Sequence, residues 1–432
     1  VQPVIGIWLR DPAARKLSAG LLALLLGIVA SCPAAAVVRL VEAGGTHLAE
    51  AIAISKHGDV LNLSPGVHQG PVTVDRPITL MSEGGAVIDG GGRGSVVTVS
   101  APDVVIRSLV IRNSGAKLAD QDSGIFVDKA GDRTLIEENQ LEGNLIGIYL
   151  WGPERAVARN NQITGRSDLR VSERGNGIQL WNTPGSVVEG NEVRFGRDGI
   201  FVTTSKENSF RNNTFRDLRF AIHYMYTNDS EVSGNISIGN HVGYAIMFSH
   251  RLIVRDNLSD GDRDRGLLLN YANSSLIEGN LVRGAKKCLF IYNANKNRIF
   301  GNRFEDCDIG IHFTAGSEDN DITGNAFIDN RTQVKYVGTR YVEWSADGRG
   351  NYWSDNPAFD LNGDGIADRP YRPNDLVDQV VWRHPQAKLL LNSPAVQVLR
   401  WAQSEFPSLH PGGVTDSAPL LSSDGIAGAK AH

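Results

Sequence analysis

Along most of this chain, short apolar triplets recur at a fixed interval, and that interval sets the architecture. Ile200-Phe201-Val202, Ile222-His223-Tyr224, Ile246-Met247-Phe248, Leu267-Leu268-Leu269, Leu289-Phe290-Ile291 and Ile311-His312-Phe313 each follow a small residue. First and third positions are always apolar while the middle one varies, which is strand periodicity with alternate side chains on opposite faces. Between the triplets stand Asn191, Asn213, Asn235, Asn257, Asn280, Asn302 and Asn325, a period of about 22 residues kept without a break. A unit this short cannot hold two packed helices and their turns, and Asn and Gly are poor helix formers. It predicts three short strands per unit, coiling into a right-handed parallel β-helix whose rungs stack about 4.8 Å apart. The recurring Asn is expected at a corner, where it tolerates a left-handed backbone and its amide can bond copies above and below.

The same patterning divides the chain. Residues 1–36 read as a secretory signal peptide: Arg10, Arg15 and Lys16 precede an apolar run over 17–29, and Ala34-Ala35-Ala36 offers a cleavage site. Val29-Ala30-Ser31-Cys32 resembles a lipoprotein processing box, so lipid attachment at Cys32 is the alternative ending. Residues 37–112 read as a strand, a capping helix begun at Thr46 with Leu48, Ile52 and Ala51 facing inward, and the first coils. Regular coils follow over 113–330, with an exposed charged insertion at 165–175. Residues 331–380 form an extension with an Asp-rich loop. Residues 381–432 hold a helix capped by Ser393 with Pro394 at its first turn, then an irregular, fraying tail.

Composition adds little beyond this. A formal net charge of −5 over 432 residues gives no reason to expect nucleic acid as a partner. Cys288 and Cys307 are separated by slightly less than one repeat, which places them in neighbouring coils, where they could either pair or pack as two thiols.

Two constellations could carry metal chemistry. Asp360, Asn362, Asp364 and Asp368, with the Ile366 carbonyl, follow the spacing of a Ca²⁺ loop, although Tyr371 stands where the closing Glu would be. The outward triplet positions form a stripe that includes Tyr149, Trp151, Trp181, Phe201, Phe290 and Tyr292. An aromatic face of that length calls for a cover, either the C-terminal segment folded back or a partner protein. Within the stripe His223, Met225, Met247 and His250 are expected near one another, a soft donor set suited to Cu(I). His312 is placed three rungs from His223, about 14 Å away and too far to share an ion. Polysaccharide lyases and epimerases built on β-helices are the competing class. They need carboxylates paired in a groove, and the stripe offers none.

Specific blocks then resemble one family. HYMYTNDSEVSGN at 223–235, GNHVGYAIMFS at 239–249, GLLLNYAN at 266–273 and CLFIYNANKNR at 288–298 are similar to NosD proteins. So are RTQVKYVGTR at 331–340, GNYWSDNPAFDLNGDGIADRPYRPNDLVD at 350–378 and HPQAKLLLNSPAVQVLRWAQ at 384–403. The resemblance implies a periplasmic, non-enzymatic β-helix protein, peripheral to the inner membrane, that assists copper-site maturation of nitrous oxide reductase. It also implies work beside an ABC-type permease and ATPase and a lipoprotein copper chaperone. Trp382 and Trp401 then fall in a segment expected to dock to the membrane partner.

Overall fold

The alternation seen in the sequence becomes a stacked solenoid in the computed structural model, which describes residues 36–338, 340–391, 393–406 and 412–426. The expected leader, including Cys32, lies outside the described residues. Three short strands per coil pair in parallel with the coils above and below, and among the described residues they build three parallel sheets of 13, 12 and 13 strands. Inward positions from all three faces fill one continuous core of Ile, Val, Leu and Phe side chains. Ile222 pairs with Tyr244 and Tyr224 with Ile246, one repeat further along the chain. The charged insertion lengthens its own coil, so that Gln162 pairs with Glu192.

The asparagines form a ladder inside one corner. It runs from Asn139 through Asn161, Asn191, Asn213, Asn235, Asn257, Asn280, Asn302 and Asn325 to Asn351, each Nδ2 donating to the next Oδ1 at 2.9–3.0 Å. The left-handed residue is not the ladder asparagine but its predecessor, such as Asn212 (φ 56°) or Gly234 (φ 63°). That turn swings the following Asn inward, where its amide bonds backbone that the corner would otherwise leave unpaired.

Both ends are sealed, by different means. Helix α1 (His47–Ile54) lays Leu48 and Ile52 onto the first coils. Thr46 stands at its N-cap position, but its hydroxyl donates to Glu50 rather than capping the backbone. At the other end the tail does not fray throughout: Gly413–Thr415 pairs in parallel with Tyr341–Glu343. Asp416, fully buried, then accepts from Trp353 Nε1 (2.8 Å) and the Asn351 N–H (2.7 Å). Trp353 stacks on Phe327 at 4.4 Å and closes the bore. Helices α2 (Leu376–Arg383) and α3 (Pro394–Glu405) complete this end, with Val377 buried, and Ser393 Oγ caps α3 as expected. Cys288 and Cys307 are joined as a disulfide within the core.

Candidate functional site

The outward face of the 12-stranded sheet carries the stripe, and its register decides what lies beside what. One column reads Gln179, Phe201, His223, Ala245, Leu268, Phe290, His312 and Lys335. The next reads Trp151, Trp181, Thr203, Met225, Met247, Asn270 and Tyr292. The triplet Ile246-Met247-Phe248 is therefore out of step by two positions. Tyr244-Ala245-Ile246 is the true counterpart of Ile222-His223-Tyr224. Tyr244 fills the inward position there, its hydroxyl 2.8 Å from both the Asn235 and the Leu258 carbonyl and able to donate to either.

This correction brings Met225 and Met247 together as Cα partners on adjacent rungs, about 4.8 Å apart. It removes Phe248 from the core: its left-handed backbone (φ 49°) turns the ring outward, stacked between Tyr226 and Tyr271 at 5.1 Å each. His250 lies beyond that corner, exposed, in a column with Asn228 and Asn273, and does not join the methionines. His312 is four rungs from His223 rather than three, roughly 19 Å at the standard spacing. Tyr149 is 4% exposed and packs edge-on against Phe126, so it offers no docking surface.

His223 is held by groups that the sequence reading missed. Its Nδ1 lies 3.0 Å from Asp198 Oδ2, while Arg219 Nη2 bonds the same oxygen at 2.6 Å. Burial pushes the Asp198 carboxyl up, but hydrogen bonds from His223 and Arg219 outweigh it and hold it below the usual carboxylate range. An ionised Asp198 can only accept, so His223 Nδ1 carries the proton that faces it, and in the neutral imidazole Nε2 is then the nitrogen with the lone pair. Phe201 and Phe220 wall the imidazole at 5.0 and 4.9 Å. The one sequence signal for Asp198 was a carboxylate directly before Gly199, at a position where later coils carry Val242, Arg265 and Lys287.

Two aromatic stacks flank the methionines. Phe126, Trp151 and Trp181 stack at 6.5 and 5.6 Å, and Tyr226, Phe248, Tyr271 and Tyr292 line the corner. Trp151, Trp181, Tyr226, Tyr271 and Tyr292 are exposed. Trp382 of α2 reaches only the last rung, with the Lys335 ammonium 6.0 Å from its ring. Trp401 lies on an exposed face of α3 with Val398.

The Asp-rich loop is occupied by its own backbone. Asp360 accepts from the Gly363 and Gly365 N–H groups, Asp364 from Ile366, Asn362 from Asp364 and Asp368 from Leu361. Among the described residues no group of three His, Cys, Asp or Glu side chains could hold a metal, so an ion on the stripe would need the thioethers. No described helix is long and apolar enough to cross a membrane.

Comparison with known proteins bears on this geometry. A family model described as "Periplasmic copper-binding protein (NosD)" matches residues 159–358. Proteins named probable ABC transporter binding protein NosD, from Pseudomonas aeruginosa and Stutzerimonas stutzeri, are each 42% identical over 374 residues. The match covers 83% of this chain and 87% and 86% of theirs. Among solved structures, the A-module of the Azotobacter vinelandii mannuronan C-5 epimerase AlgE6 superposes with a TM-score of 0.51 at 15% identity, over 67% of this chain and 90% of that one. The Streptococcus pneumoniae adhesin PfbA gives 0.53 at 9% identity, over 67% and 94%. At such identities the structural likeness concerns the coil architecture alone. The sequence relatives carry more weight, and on their identity and coverage this chain belongs to the NosD family.

Proposed function

We propose that this protein works in the periplasm, at the inner membrane, as the docking component of an ABC-type transporter, receiving copper and passing it on during copper-site maturation of nitrous oxide reductase. The observation that carries this reading is the Met225–Met247 pair on adjacent rungs, with His223 one column away and its Nδ1 held by Asp198. Two thioethers and an imidazole favour Cu(I) among common metals. Asp198 behind the imidazole is the arrangement that fixes ring orientation for a metal. Copper is cargo here, so a set of few, partly exposed donors suits transfer better than a closed cage. The names carried by the relatives support an ABC transporter as the partner.

In this reading the exposed aromatics beside the methionines receive the lipoprotein copper chaperone, and the α3 face with Trp401 meets the permease, which links it to the ATPase across the membrane. The role is not catalytic. A polysaccharide-cleaving alternative finds no carboxylate pair beside the methionines among the described residues: Asp198, which bonds His223, is buried and bound by Arg219. The test is the double substitution Met225→Leu with Met247→Leu, which nearly conserves apolar volume. Melting should be unchanged, while Cu(I) retained against a chromophoric chelator and copper loading of the reductase should both be lost. Normal loading by a folded double variant refutes the copper reading and leaves a plain docking patch.

A further inference from the structure

A second concentration of chemistry lies on the stripe, centred two rungs beyond Met247, and the copper reading makes no use of it. Arg265 and Lys287 are Cα partners on adjacent rungs, and both reach over one ring. The guanidinium carbon sits 5.1 Å and the ammonium nitrogen 5.2 Å from the Phe290 centroid. His312 packs its imidazole 4.8 Å from the same ring, and Lys335 follows His312 on the next rung.

One guanidinium and two ammonium groups thus gather on one half-buried face, with the Asp264 carboxylate beside Arg265 and Lys287. Among the described residues the cluster contains a single ion pair, Asp264 with Arg265 at 3.0 Å, and none for Lys287 or Lys335. Two buried nitrogens, Arg265 Nε and His312 Nδ1, have no hydrogen-bond partner. Burial, then the neighbouring cations, push the Lys287 ammonium and the His312 imidazole down from their ordinary values. A cation–π contact accounts for one cation over Phe290. It does not account for a second one over the same ring, nor for an imidazole against that ring with an unmet nitrogen. Like charges gathered on partly desolvated surface repel strongly unless a counter-charge joins them.

We propose that Arg265, Lys287 and Lys335 form an anion-receiving site over Phe290 and His312, made for a carboxylate or a similar oxyanion. Its natural occupant comes either as a small free anion or as an acidic side chain of a docked polypeptide, since both present the same oxygens to charge-assisted donors. The site owes nothing to copper, so it stands or falls separately from the function proposed above.

The test is a titration of the full chain at low ionic strength, read by the NMR signals of the His312 ring and the Lys287 side chain. Inorganic sulfate, malonate and an acetylated tetraglutamate amide are the probes. A saturable response to sulfate or malonate identifies a free-anion site. A response at least tenfold tighter for the peptide identifies an acidic side chain as the occupant. Lys287→Met and Lys335→Met should each weaken binding about tenfold, the loss of one charge-assisted contact, while exposed Lys286→Met should not. The proposal is overturned if no probe gives a saturable response, or if Lys286→Met weakens binding as much as the other two. Should either variant misfold by circular dichroism, the titration of the unaltered protein decides.

Discussion

Replacing Asn235 by Ala tests whether the ladder holds the solenoid together. Asn235 Nδ2 donates to Asn257 Oδ1 (3.0 Å) and to the Phe210 carbonyl (2.8 Å). Its Oδ1 accepts from the Asn213 backbone N–H and from Asn213 Nδ2, both at 3.0 Å. The substitution deletes all four. Asn213 Nδ2 keeps the Val188 carbonyl, and Asn257 Oδ1 keeps the Asn235 N–H. The Asn213 N–H loses its acceptor in a fully buried corner. One orphaned donor costs about 1–3 kcal/mol and each of the three further bonds about 0.5–1.5, so a loss of about 5 kcal/mol is expected. Urea denaturation followed by circular dichroism measures it, with the slope compared between variants because a solenoid can unfold in parts. Hydrogen exchange at the Asn213 amide should accelerate in step. Asn320 makes the same kind of contacts but is reached by solvent, so Asn320→Ala should cost less than about 1 kcal/mol as water substitutes. A loss below about 1 kcal/mol for Asn235→Ala, or unchanged exchange at Asn213, would refute the argument.

Two further outcomes follow from particular residues. His312 is pushed down to about 4 by burial and by Lys335, Lys287 and Arg265, while the unfolded imidazole titrates near 6.5. Between those values the unfolded chain binds more protons, so stability should fall as pH drops from 6.5 towards 4. His312→Gln should flatten this part of the Tm profile, and an unchanged slope would count against it. Replacing residues 376–406 by a flexible linker should keep the coils folded, because Asp416 and Trp353 seal the last rung without the helices. That deletion should abolish co-purification with the permease. Truncation after Asn374 removes Asp416 as well and should loosen the terminal rungs, seen as a lower Tm.

The coil architecture was legible because one short unit is repeated many times, so each apolar triplet confirms the others. The register was less so. Both Gly243 and Ala245 are small residues before an apolar triplet, and anchoring the unit on Ala245 rather than Gly243 shifted Met247 and Phe248 by two positions. Side chains that act from neighbouring columns were invisible in the sequence: Asp198 precedes His223 by 25 residues and meets it only through the stacking of two coils. The acidic loop is ambiguous in sequence for the opposite reason. Spacing that suits Ca²⁺ also suits a loop whose carboxylates bind its own N–H groups. The tail was misread because Gly413–Thr415 pairs with Tyr341–Glu343, far back along the chain, a contact that no local pattern announces.

The parallel register makes this molecule a ruler. Every side chain on the stripe sits at a whole number of rungs from every other, so the methionine pair and the cation cluster are separated by graduations of about 4.8 Å. One more coil inserted between Met247 and Leu268 would move the cations a single graduation further along while leaving both groups chemically intact. The distance between two surfaces on a bound partner can therefore be matched by counting coils, independently of the residues that do the binding.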